Sequence, residues 1–300
     1  MTSEQTNANG LSITYEDKGP RDAPVILLVM GLGGQLTLWP DEFVDALNVH
    51  GFRTIRYDNR DVGLSTRFEA AGVPNLKWMF VKAALGLPVR PAYTLADMAA
   101  DAVALLDGLG VQRAHIVGAS MGGMIAQHIA ARYPARVLSL TSIMSTTGNR
   151  RLPRARKEAM RVLANRPMGG DPEEMIAYSV RAAQVIGSPG YPPDEARLQR
   201  QVRADYERGF YPQGVARQMA AIIADGDRRP MLRTIRTPTL VIHGEDDPLV
   251  PLAGGRDTAA SIAGSRLMTV PGMGHDLPLA LVDTLTDAIA KHAKEALVAA

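Results

Sequence analysis

The feature that most constrains the fold is a junction where an apolar run meets a serine bounded by glycines. Residues 114–117 predict a buried strand, Gly118-Ala119-Ser120-Met121-Gly122 follows, and residues 121–133 predict a helix. The tight turn forces Ser120 into an unusual backbone conformation, and glycines two residues away on either side avoid clashes with the strand and the helix. The helix N-terminus adds positive potential beside the hydroxyl. The context predicts an exposed serine nucleophile, and a glycine-rich turn without chemistry is the alternative.

Strand and helix patterns alternate toward both ends of the chain. The continuously apolar run Val25–Met30 is typical of a strand that is buried on both faces of a parallel sheet. The alternation predicts an α/β fold with a mostly parallel sheet of about eight strands and helical crossovers. The predicted strands are 11–17, 25–30, 53–57, 114–118, 137–144, 239–243 and 266–270, and the predicted helices are 40–50, 95–109, 121–133 and 279 to the end.

The stretch from 150 to 229 lacks a strand pattern and contains amphipathic segments punctuated by prolines. A structureless loop of this length would be unusual in a compact domain. We therefore predict a helical cap at 149–230, inserted into a catalytic core formed by residues 1–148 and 231–300. A smaller insertion at 69–91 contains Trp78, Met79 and Phe80, for which a substrate tunnel, contact with a lipid surface and ordinary packing all stay open.

A serine nucleophile needs a base, and six histidines are available. His275 lies in Pro-Gly-Met-Gly-His-Asp-Leu-Pro, a loop just beyond the predicted strand 266–270. A histidine beyond the C-terminal end of a strand can reach a nucleophile at the same edge of the sheet. The other five lie in or at the end of predicted strands and helices, where a structural or surface role is expected: His50, His115, His128, His243 and His292.

The acid that would orient the base follows the predicted strand 239–243. Glu245, Asp246 and Asp247 compete there, and the following Pro248 favours Asp247 because it leaves that carboxylate facing the cleft. An acid after the strand 137–144 is excluded, since no Asp or Glu occurs between residues 108 and 157.

An oxyanion hole needs two backbone N–H groups. Met121, immediately after the serine, supplies one candidate, and the loop Gly31-Leu32-Gly33-Gly34 supplies the other. We predict Leu32 as the second donor, because the glycines around it, Gly31 included, let the backbone approach a substrate closely.

The order Ser120, Asp247, His275 resembles that of serine hydrolases of the α/β-hydrolase fold. Locally the chain resembles aclacinomycin methylesterase and related anthracycline-tailoring esterases, through the segments 28–31, 39–43, 55–66 and 271–275. The resemblance implies hydrolysis of carboxylic esters through an acyl-enzyme, without a cofactor. It also implies that Asp58 and Arg60 belong to a supporting network behind the oxyanion loop. Many family members have His-Gly where this chain has Met30-Gly31.

Other uses of the same triad stay open. They are hydrolysis of a C–C bond or a lactone, perhydrolysis and acyl transfer, and a non-catalytic ligand-binding protein of this fold is a further alternative. An aspartate in place of Ser120 would have indicated a haloalkane dehalogenase instead.

Composition and charge exclude several classes of binding partner. The formal net charge of +2 gives no reason to expect nucleic acid, and the absence of cysteine excludes thiolate metal sites. No metal-ligand cluster is visible in the sequence.

The longest clean apolar run, 25–30, is far shorter than the ~20 residues that span a bilayer. We expect a cytoplasmic protein acting on a small-molecule ester, without stable membrane insertion. The sequence does not indicate an oligomeric state.

Overall fold

A computed structural model describes residues 3–165 and 167–298. Its strands are β1 (Glu4–Ala8), β2 (Leu11–Lys18), β3 (Val25–Val29), β4 (Arg53–Tyr57), β5 (Ala114–Ala119), β6 (Val137–Ile143), β7 (Thr239–Gly244) and β8 (Arg266–Val270). Its helices are α1 (Asp41–Val49), α2 (Leu76–Ala84), α3 (Leu95–Gly108), α4 (Met121–Arg132), α5 (Lys157–Ala164), α6 (Pro172–Ile186), α7 (Glu195–Gly209), α8 (Pro212–Asp225), α9 (Arg229–Leu232), α10 (Ala253–Ser261) and α11 (Val282–Val298).

The strands form one eight-stranded sheet in the order β1-β2-β4-β3-β5-β6-β7-β8. Strands β1 and β2 are antiparallel to their neighbours, and the others run parallel. The predicted α/β fold with a mostly parallel sheet is confirmed. Strand β1 was not predicted, because it is a polar edge strand held by pairing with β2 across the turn at Asn9 and Gly10.

Apolar layers cover both faces of the sheet. Successive residues of a strand point to opposite faces, so Leu27 and Ile116 pack against α3 and α4, while Ile26, Leu28 and Val117 pack against α1 and α11. Burial on both sides explains why the central strands are continuously apolar. The C-terminal ends of β3, β5, β7 and β8 therefore lie at one edge of a rigid layer.

Helices α5 to α8 lie in the chain between β6 and β7, where the sequence predicts an insertion. The boundaries 149 and 230 stay a prediction, and residues 1, 2, 166, 299 and 300 of the predicted ranges lie outside the described residues. Helix α2 occupies the smaller insertion and packs against α8. Over 3–165 and 167–298, no helix has the length and apolar character needed to cross a membrane.

Candidate active site

Ser120 lies between β5 and α4 in a strained conformation, with φ 56° and ψ −119°. A Cβ at Gly118 would lie 2.2 Å from the carbonyl oxygen of Gly122, and one at Gly122 would lie 2.0 Å from the carbonyl oxygen of Val29. No side chain fits at either position without moving backbone. The glycines of the sequence motif thus permit the close contact between strand and helix that a nucleophile elbow requires.

Three side chains from three loops form a continuous hydrogen-bonded chain. The Oγ of Ser120 lies 2.9 Å from Nε2 of His275, and Nδ1 of His275 lies 2.7 Å from Oδ2 of Asp247. The other carboxylate oxygen of Asp247 accepts hydrogen bonds from the N–H groups of Leu249 and Val250, each at 2.8 Å. With a proton on Nδ1, the imidazole donates to Asp247, and its Nε2 is free to accept the serine proton.

The competing acids point elsewhere. Asp246 accepts a hydrogen bond from the N–H of Gly272 at 3.0 Å, and Glu245 accepts one from the hydroxyl of Thr269 at 2.8 Å. Of the three acidic residues after β7, Asp247 is the one placed against His275.

The loop after β3 approaches the serine closely. A Cβ at Gly31 would lie 3.0 Å from Cβ of Ser120 and 3.6 Å from its Oγ. The N–H groups of Gly33 and Gly34 are already bonded, the first to Oε1 of Gln218 and the second to the carbonyl of Gly31. Within the described part of the chain, the N–H groups of Leu32 and Met121 donate to no protein acceptor. The two predicted donors therefore remain available for a ligand oxygen.

Gln218, on α8, supports this loop and was missed by sequence reasoning. Its side chain is fully buried, with Oε1 accepting from Gly33 N–H and Nε2 donating to the carbonyl of Arg60, both at 2.8 Å. A single amide thus joins the loop after β3 to the segment after β4. No pattern in the sequence marks this glutamine, since its partners are distant along the chain.

Asp58 and Arg60 face different neighbours. The carboxylate of Asp58 accepts hydrogen bonds from the N–H groups of Leu36 and Leu64 and from Arg208 of α7. Burial raises the pKa of Asp58, while Arg208 and the two amides oppose that rise. The Arg60 guanidinium instead forms a two-point ion pair with Asp101 of α3. The Asp58 side chain thus contacts Leu36, just beyond the loop of residues 31–34, and Arg60 contributes its carbonyl to Gln218.

The loop carrying His275 is held by the last residue of α6 and by the segment that follows this helix. The N–H of His275 donates to the carbonyl of Ile186, and the N–H of Gly274 donates to the hydroxyl of Ser188, both at 2.8 Å. That hydroxyl donates in turn to the carboxylate of Asp276. Burial raises the pKa of Asp276, which the Ser188 hydrogen bonds oppose. Ser188 is a second positioning residue without a signal in the sequence.

The remaining histidines do not contact Ser120 or His275 through a hydrogen bond in the described part of the chain, although Nε2 of His243 lies 3.7 Å from Oδ2 of Asp247. His243, at the end of β7, donates through Nε2 to the carbonyl of Val250 at 2.7 Å, and burial lowers its pKa. His128 contacts Asp225 at 2.8 Å. Across residues 3–165 and 167–298, no group of three or more His, Cys, Asp or Glu is arranged to hold a metal ion.

A serine elbow at the end of a central strand, joined through a histidine to an acid on the same sheet edge, defines a class of hydrolase. The family model described as the alpha/beta hydrolase fold matches residues 24–279. The chain belongs to this family.

Two similar proteins are the rhodomycin D methylesterases DnrP of Streptomyces peucetius and DauP of Streptomyces sp. strain C5. They are 32% and 31% identical to this chain, and each alignment covers 93% of both proteins. Among solved structures, a hydrolase from Pseudomonas aeruginosa is 29% identical, with a TM-score of 0.70 and 98% of each chain covered. The similarity thus extends over the inserted helices as well as the sheet.

Proposed function

We propose that this protein is a carboxylic ester hydrolase that works through an acyl-enzyme, with Ser120, His275 and Asp247 as its catalytic triad. The observation that carries the proposal is the hydrogen-bonded chain from Ser120 Oγ through His275 to Asp247, at 2.9 and 2.7 Å. The strained backbone of Ser120 supports it, because such strain concentrates at functional sites.

In the proposed mechanism, Ser120 Oγ attacks the ester carbonyl while its proton moves to Nε2 of His275. The carbonyl π electrons move onto oxygen, and the N–H groups of Leu32 and Met121 stabilise the oxyanion. Collapse of this intermediate breaks the bond to the alcohol, which takes the proton from His275. Water then gives its proton to His275 and attacks the acyl-enzyme. The carboxylic acid leaves, and the proton returns to Ser120.

Asp247 would act through His275. Its negative charge stabilises the imidazolium that forms in each half of the reaction, and its oxygen holds the ring in the orientation that points Nε2 at the serine. The hydrogen bonds from Leu249 and Val250 fix the carboxylate for this task.

The substrate would be a small-molecule ester selected by the cap, which we place at residues 149–230 between the core segments 1–148 and 231–300. The similar methylesterases make methyl esters the first substrates to test. The esterase/perhydrolase of Acinetobacter calcoaceticus, 28% identical over 93% of this chain, makes hydrogen peroxide a useful competing acceptor in the same assay.

Intact mass spectrometry after treatment with a fluorophosphonate tests the nucleophile. We expect one adduct on the wild-type protein and none on Ser120→Ala. Ser145→Ala is the matched control, because the hydroxyl of Ser145 donates its hydrogen bond to the carbonyl of Ser120 and not to His275. An unlabelled wild-type protein, or equal labelling of Ser120→Ala, would contradict the proposal.

A substrate panel tests the reaction. We expect turnover of simple carboxylic esters to exceed that of lactones and of vinylogous diketones cleaved at a C–C bond. Labelling at Ser120 together with turnover of diketones but not esters would retain the nucleophile and reject ester hydrolysis.

A further inference from the structure

The insertion at 69–91 exposes an unusual share of large apolar side chains. We define the α2 patch as Val73, Trp78, Phe80, Val81, Leu85 and Leu87, which are all exposed. Leu85 is 67% exposed and Trp78 54%. Scattered single hydrophobic residues are normal on a protein surface, whereas six within fifteen consecutive residues form a patch that needs a partner.

Packing of α2 onto the rest of the protein does not use this patch. Met79 and Ala83 are the buried residues of the helix, and α2 lies against α8. The carbonyl of Ala83 also accepts a hydrogen bond from Arg150, which ties the end of the helix to the segment after β6. The helix is therefore anchored by one face, while Trp78 and Phe80 on its other sides face solvent.

The charged residues within the segment that carries the patch are all basic. Residues 70–96 contain Lys77, Lys82 and Arg90 and no Asp or Glu. Trp78, Lys82 and Arg90 line one open groove of about 370 Å³. The Lys82 Nζ lies 5.8 Å from the centre of the Trp78 ring. Apolar and cationic groups thus share the same small surface.

We propose that the α2 patch docks this protein on the surface of an anionic lipid bilayer. Exposed aromatic and aliphatic side chains can enter the boundary between headgroups and acyl chains, while lysine and arginine remain at the level of the phosphates. Helix α2 has nine residues, which is too short to cross a bilayer and suits a helix lying along its surface.

Charge favours the bilayer over a second copy of this chain. A two-fold symmetric contact would place the same patch on both sides and bring the cations Lys77, Lys82 and Arg90 of one copy near those of the other. No acid within residues 70–96 would offset that repulsion. Anionic headgroups instead neutralise these cations, so the attraction weakens with added salt. This surface does not depend on the proposed ester hydrolysis.

Flotation with vesicles tests the docking. We expect the protein to bind vesicles of equimolar phosphatidylcholine and phosphatidylglycerol, and to bind phosphatidylcholine vesicles at least about tenfold more weakly. The double variant W78A/F80A should lose at least about tenfold in binding to the anionic vesicles. The charge variant Lys82→Glu should weaken binding at low salt and reduce its salt dependence.

Two matched controls separate the patch from general effects. Val49→Ser removes an exposed apolar side chain elsewhere on the surface, and Lys294→Glu makes the same charge change on α11. Both should bind as the wild-type protein does. Thermal unfolding and far-UV circular dichroism should be the same in all variants, which shows that they fold.

Fluorescence supplies a position-specific readout, because the chain has two tryptophans and Trp39 is fully buried. Brominated phospholipids should quench the emission of Trp78, and Trp78→Phe should abolish this quenching while keeping most of the binding. Absence of wild-type binding to anionic vesicles would overturn the proposal. Equal binding by W78A/F80A, or a dimer in sedimentation that W78A/F80A dissociates without any vesicle binding, would also overturn it.

Discussion

Gln218→Glu is a nearly isosteric change that tests how the inserted helices support the oxyanion loop. In the wild-type protein the amide accepts from Gly33 N–H and donates to the Arg60 carbonyl, both at 2.8 Å. An ionised glutamate keeps the first bond, but its second oxygen faces the carbonyl oxygen of Arg60. One buried hydrogen bond is lost, and two acceptors repel each other.

The cost of leaving a buried polar group unpaired is about 1–3 kcal/mol. If the loop shifts to relieve it, the N–H of Leu32 moves from its position. A loss of this size in transition-state stabilisation lowers kcat by about fivefold to 150-fold. We expect KM to change much less, because the donor matters most when negative charge develops on the substrate oxygen.

The effect should depend on pH with a definite sign. Burial favours the neutral form of a carboxylic acid, and the protonated side chain of the Gln218→Glu variant could donate to the Arg60 carbonyl as the amide does. The ratio of kcat for Gln218→Glu to kcat for the wild-type protein should therefore rise as the pH falls. Taking this ratio cancels any dependence on pH that the two proteins share.

The assay measures kcat and KM for one ester over the range of pH in which both proteins stay folded. Gln127→Glu is the matched control, since Gln127 is equally buried but bonds to Arg228, away from the oxyanion loop. Its ratio to the wild-type kcat should show no comparable rise at low pH. A ratio near one for Gln218→Glu at every pH, with an unchanged Tm, would refute the reasoning. If Gln218→Glu does not fold, Gln218→Met removes both bonds without a charge and should still lower kcat.

Further substitutions test the acid, the close contacts and a buried histidine. Asp247→Asn should lower kcat by about 10⁴-fold. Asp246→Asn can still accept a hydrogen bond from a backbone N–H, so it should lower kcat less than about tenfold. Equal losses of kcat in steady-state assays would contradict the choice of acid. Gly31→Ala should lower kcat while leaving Tm nearly unchanged, because the added Cβ would lie 3.0 Å from that of the elbow serine. Gly122→Ala should prevent folding, because its Cβ would lie 2.0 Å from a carbonyl oxygen of β3. Burial lowers the pKa of His115 from 6.5 to about 4, so between these values the unfolded chain binds a proton that the folded chain does not, and stability falls with falling pH. His115→Leu should reduce the slope of the free energy of unfolding against pH by up to about 1.4 kcal/mol per pH unit, measured by urea unfolding. An unchanged slope would count against the lowered pKa of His115.

Local patterns were enough to predict the parts of the site that depend on neighbours in the chain. The strand, glycine and helix sequence around Ser120 allows one kind of turn, since a Cβ at Gly118 has no room. Asp247 and His275 follow strands whose C-terminal ends meet at one edge, so their approach follows from the parallel topology. Periodicity and sterics, both readable from sequence, determine these positions.

Contacts between distant segments could not be predicted in the same way. Gly33 and Gln218 are 185 residues apart, and Gly274 and Ser188 are 86 residues apart. Each pair joins a side chain to a backbone N–H. Every residue type except proline provides this donor, so the residue types in the sequence do not show which segment the side chain will bind. Strand β1 was missed for a related reason, because its polar residues form a strand only through pairing with β2.

The same long-range contacts limit how the inserted helices can move. Gln218 of α8 bonds to the oxyanion loop, and Ser188 after α6 bonds to the loop that carries His275. Movement of α6 and α8 away from the sheet would break both contacts and leave Gly33 and Gly274 without acceptors. We therefore expect the amide protons of these two glycines to exchange with solvent as slowly as nearby buried amides in native-state hydrogen exchange. Fast exchange at both, in a protein whose β5 amides stay protected, would show that α6 and α8 open readily and that the catalytic arrangement forms only when they close.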